Sequence, residues 1–276
     1  NIGTATTNGS ADLTLASFTD ALTMTGGNHV DEDSLLDLAV GMTTSTISMV
    51  RGVGGNKISL TSTGAQVLVG DITGSGAATT ATNLNEIHLD SGGNTSTWAY
   101  AGDVSGLDLL FVDVGDTITY TGSSLAATNI ELKTNTADFT LGNRAGDQTI
   151  TANFVATADN QGLIVNNNAA NLVTFDGNVG ASEVRMKKIT IIDDADTTFK
   201  KAIFTNAIDL NTNAADEVTK FEVSGNFVGD FGANAGVLDL AGGSIQLGTA
   251  IVSGSTVLDA RTTVNGAGGV IIGTAG

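Results

Sequence analysis

Apolar and polar residues alternate along this chain in short runs, as in Ile58-Ser59-Leu60-Thr61 and Ile118-Thr119-Tyr120-Thr121, and most runs end at Gly, Asn or Asp. Period-two alternation places one face of a strand inward and the other outward, and Gly, Asn and Asp supply the turns between strands. The pattern predicts strands over 12–15, 21–25, 35–40, 45–50, 57–61 and 66–69. A loop-like stretch follows over 74–85, then strands over 86–89, 97–100, 107–114, 117–121 and 129–132. Few windows carry a helical period; 181–188 reads as a short helix or equally as a strand.

The runs also repeat. Ile130-Glu131-Leu132-Lys133-Thr134-Asn135-Thr136-Ala137-Asp138 returns as Ile208-Asp209-Leu210-Asn211-Thr212-Asn213-Ala214-Ala215-Asp216. Gly177-Asn178 returns as Gly225-Asn226, and Ala202-Ile203-Phe204 as Ala250-Ile251-Val252, both after 48 residues. Self-similarity of this kind belongs to stacked units that bury their apolar faces only against neighbours. The expected fold is all-β: a parallel β-helix, or β-solenoid, with irregular coil lengths, since the 78-residue offset of the first pair is not a multiple of 48. It would form one continuous body over 1–276, with a subdivision into 1–75 and 83–276 possible at the glycine-rich stretch from Gly70 to Thr82. Tandem β-sandwich domains are the alternative, against which the absence of proline counts mildly.

Composition narrows the interior. Hydrophobic residues make up 41% of the 276, but aromatics only 5%, so small and β-branched side chains must fill most of the core. Forty Thr and 23 Asn accompany 36 Gly, a mixture suited to pleated strands and tight turns. The 29 acids outnumber the 11 bases, for a net charge of −18, and such a field repels polyanions; nucleic acid is not an expected partner. No cysteine is present, so disulfides play no part, and no 18-residue apolar run is available to span a bilayer. The chain opens at Asn1 without a methionine, which is compatible with a removed leader or an excised piece.

The strings Asn171-Leu172-Val173-Thr174-Phe175-Asp176-Gly177-Asn178-Val179-Gly180 and Gly236-Val237-Leu238-Asp239-Leu240-Ala241-Gly242-Gly243 resemble the passenger regions of bacterial autotransporters. Rickettsial surface antigens and haemagglutinin-like surface proteins have a similar texture, and the likeness runs over roughly residues 125–276. The resemblance implies a right-handed parallel β-helix outside a bacterium, with an adhesive, protective or scaffolding role. It carries over no catalytic residues.

Candidate chemistry is sparse. His29 and His88 stand in no zinc-ligand spacing, and no nucleophile-elbow pattern accompanies the Ser, His and Asp residues. Asp113 and Asp116 are a conceivable carboxylate pair for glycan cleavage. Asp31, Glu32 and Asp33, and likewise Asp193, Asp194 and Asp196, concentrate oxygen ligands in expected loops and are candidate calcium ligands; solvated turn charge is the competing reading. Five of the eleven bases, Arg185, Lys187, Lys188, Lys200 and Lys201, fall within one short stretch and form a candidate subunit interface, or an edge whose lysines discourage pairing. Threonine pairs such as Thr23/Thr25 and Thr117/Thr119/Thr121 share a strand face, and the expectation is ordinary β surface. Trp98 and Tyr100 are either sugar-stacking aromatics or core.

Because an open solenoid ends in unpaired strand edges, the expected function is a non-enzymatic, secreted bacterial structural protein, a subunit of an extracellular filament, sheath or surface layer whose partner is itself. The alternative is an adhesin or glycan-binding stalk that engages a cell-surface glycan. Calcium is the one cofactor considered.

Overall fold

The computed structural model describes residues 20–26, 34–75, 78, 83–169, 171–181, 183–192 and 195–207. Strand backbone is further described at 12–14, 208–211, 218–221, 237–240, 244–247, 263–266 and 270–272. The fold is all-β, a parallel β-solenoid, and no helix occurs among the described residues. Parallel pairing rung upon rung is the opposite of what antiparallel sandwiches require. The chain divides into two compact units, 1–131 and 132–276.

In the first unit three ladders run from coil to coil. One joins β1 (Asp12–Thr14), β3 (Ser34–Leu38), β5 (Asn56–Leu60), β7 (Asn85–Leu89) and the second half of β9 (Val104–Val112). Another joins β2 (Leu22–Thr25), the second half of β4 (Met42–Val50), the second half of β6 (Gly64–Ser75) and the start of β9. The third joins the first halves of β4 and β6 to β8 (Ser96–Ala101) and β10 (Thr117–Tyr120). Strands β4, β6 and β9 therefore each bend from one ladder into the next. The last strand of this unit is β11 (Ser124–Leu132).

Alternation in sequence becomes alternation in burial. In β3, β5 and β7 the burial pattern is strictly alternate, and the inward residues stack in register as Leu36–Ile58–Ile87–Leu110 and Leu38–Leu60–Leu89–Val112. Trp98 and Tyr120 are fully enclosed, and Tyr100 is 3% exposed. The Tyr100 hydroxyl donates to the Gly70 carbonyl at 3.0 Å, and burial pushes its phenol far above the usual range. Both Trp98 and Tyr100 are thus core, which removes them as a sugar-stacking platform.

At one bend glycine is required by close approach. A Cβ on Gly102 would sit 2.1 Å from the Gly70 carbonyl oxygen, and one on Gly122 would sit 2.0 Å from that of Gly102, so these three glycines bring successive coils into backbone contact.

The second unit is built the same way. One ladder holds β12 (Asp138–Leu141), β14 (Gln161–Asn166), β16 (Met186–Ile192), β18 (Ala207–Asn211), β20 (Val237–Leu240) and β22 (Thr263–Gly266). A second holds β13 (Gln148–Ala156), β15 (Leu172–Phe175), β17 (Asp196–Phe199), β19 (Val218–Phe221), β21 (Ser244–Leu247) and β23 (Val270–Ile272). Single bridges Phe154–Val179 and Val179–Ile203 mark a third. The ambiguous 181–188 stretch forms an antiparallel bridge, Ala181 with Val184, and then enters β16.

Coil length varies as the sequence implied. Phe139 stacks on Ile164 and Ile164 on Ile189, 25 residues apart each time, whereas Ile189 to Ile208 takes 19 and Ile208 to Leu238 takes 30. Two coils thus span close to the 48-residue spacing; the later members of both 48-residue pairs lie outside the described residues. A file of aromatic rings runs through this unit: Phe139–Phe154 at 5.3 Å, Phe154–Phe175 at 5.7 Å and Phe175–Phe199 at 4.8 Å between centroids. Phe175 contacts a ring on each side and is 1% exposed. Its replacement by alanine is expected to cost about 3–5 kcal/mol in urea unfolding. Replacing the half-exposed Thr174 beside it should change the midpoint little.

Candidate functional site

Where strands bend, backbone N–H groups leave the ladder and take another acceptor. Side chains from the neighbouring coil supply it. In the first unit the Gly41 N–H donates to Gln66 Oε1 at 2.7 Å, the Asp103 N–H to Asp71 Oδ1 at 2.8 Å, and the Ser123 and Ser124 N–H groups to Asp103 Oδ1 at 2.7 and 3.0 Å. In the second, Leu172 donates to Asp147 at 3.0 Å, Asn178 to Asn153 at 3.0 Å, Gly146 to Asn171 at 3.1 Å and Arg185 to Asp159 at 2.9 Å. Acids and amides at these bends are therefore structural acceptors.

Asp116 is the most enclosed of them. It accepts from the Ser91 N–H at 3.1 Å, the Ser91 hydroxyl at 2.7 Å and the Ser96 N–H at 3.0 Å, and it is fully buried. That role removes it from the carboxylate pair considered with Asp113. Burial pushes its carboxyl above the ordinary carboxylate range, although the hydrogen bonds from Ser91 and Ser96 oppose the shift.

Of the calcium candidates, Asp31, Glu32, Asp33, Asp193 and Asp194 lie outside the described residues, and Asp196 is exposed at the start of β17. Among the described residues no group of three His, Cys, Asp or Glu side chains comes together. His29 also lies outside them. His88 pairs with Glu86 at 2.8 Å and stacks on Phe111 at 4.9 Å.

The basic candidates belong to the second unit and are partly tied to their own body. The Arg185 guanidinium bonds Asp159 at 3.1 Å, Lys187 Nζ donates to the Asn135 carbonyl at 2.9 Å, and Lys201 lies 4.0 Å from Asp176. Partial burial pulls the Asp159 carboxyl upward, but the hydrogen bonds and charge of Arg185 outweigh it and hold the group below its usual range. Lys188 lies in β16, and Lys200 follows β17 with its N–H bonded to the Phe175 carbonyl at 3.0 Å.

A cleft that sequence reasoning missed lies in the first unit, at the corner where the chain passes from β6 to β7. There the coils differ in connection length: β6 ends at Ser75 and β7 begins at Asn85, while the next coil turns within β9 at Gly106, whose φ is +66°. The recess between them has a volume of about 580 Å³. Leu84, Leu107 and Leu109 supply apolar walls, and Arg51, Asp108, Asn129 and Glu131 supply polar ones. Arg51 forms an ion pair with Asp108 and donates to the Asn83 carbonyl, while Asp108 also accepts the Asn85 N–H at 2.7 Å. Behind them Asn56 Nδ2 donates to Asn85 Oδ1 at 2.8 Å, fixing the corner.

No model of a known protein family, no curated protein and no solved structure matches the chain. The site must be read from its own chemistry.

A signal for the cleft was present in Leu107-Asp108-Leu109-Leu110-Phe111-Val112, where alternation fails. Leu110 and Val112 point inward, so Leu109 and Phe111 are forced onto the outer face, where both remain half-buried.

The Asp116 environment sets a pH dependence. Between the ordinary carboxylate value and the raised native one, the folded state holds more protons than the unfolded state, so this residue's contribution to stability falls as pH rises through that window. The difference in urea midpoint between wild type and Asp116→Asn should therefore shift in favour of the variant as pH rises above the ordinary carboxylate value, and level off once the group is ionised in both states. A difference that is constant with pH would contradict the assignment.

Proposed function

We propose that the chain is a structural subunit of an extracellular bacterial filament, sheath or surface layer, and that its partner is another copy of itself. The observation that carries this reading is the parallel ladder. Each rung presents the backbone pattern that the next rung needs, and coil is added to coil without a change of register type. An unpaired edge at the end of such a ladder would be a template for a further strand, and a head-to-tail contact that does not close propagates. Among the described residues no aromatic side chain is exposed, and this together with the excess of acids suits a polymer that must not collapse sideways: like charge opposes lateral contact while backbone pairing directs axial growth.

The reading predicts concentration-dependent growth in sedimentation velocity and elongated particles in negative-stain images. A wild-type chain that stays monomeric at every concentration, with no elongated particles, would overturn the proposal.

A further inference from the structure

We draw no further inference here: the strongest candidate, the outer sheet face of the first unit on which Ala65 and Val67 of β6 stand in register with Thr97 and Ala99 of β8 and, one coil on, with Thr117 and Thr119 of β10, is an unpartnered face of small uncharged side chains, and nothing in the structure shows what covers it.

Discussion

The constraint on which the rest depends is that every coil must satisfy the backbone of the coil beside it. Along the strands the parallel ladder does so. At the bends it cannot, because the chain turns out of the hydrogen-bonding direction, and there an Asp, Asn or Gln from the adjacent coil takes the donor: Gln66 for Gly41, Asp103 for Ser123 and Ser124, Asp147 for Leu172, Asn153 for Asn178. Orphaned N–H groups want acceptors, and carboxylates are acceptors only. Acids and amides at the corners serve this need.

The interior obeys the same stacking rule. A side chain that points inward meets its counterpart one coil away, so identical or similar residues pile into columns: aliphatic in the first unit, phenylalanine in the second. The columns explain how a chain with 5% aromatics still buries a well-packed core. Among the described residues six rings stand in two files, Tyr100 with Tyr120 and Phe139 through Phe199.

Much of this was legible in the sequence. Strict alternation in Asn56–Leu60, Asn85–Leu89 and Thr117–Tyr120 located strands and their inward faces directly. The unequal repeat offsets announced unequal coils. What could not be read was register. Gly74 and Ser75, expected in a loop, belong to β6, which continues through the bend at Gly70, and only pairing with β4, β8 and β9 reveals that bend. Trp98 and Tyr100 share one side of β8 in sequence, but whether that side faces inward depends on the coils stacked against it. The cleft was hidden for the same reason: its lining residues, Arg51, Leu84, Leu109 and Glu131 among them, are far apart in sequence and meet only through the stacking of coils. The broken alternation at Leu109 and Phe111 was its one local trace.

The most direct test of the claim that neighbouring-coil side chains replace the ladder at the bends is residue-resolved amide hydrogen exchange. The N–H groups of Gly41, Ser123, Leu172 and Asn178 should exchange slowly, at rates within the range of the flanking strand amides, although they lie outside or at the margins of regular strands. Exchange of these amides at the rate of free loop residues would contradict the account.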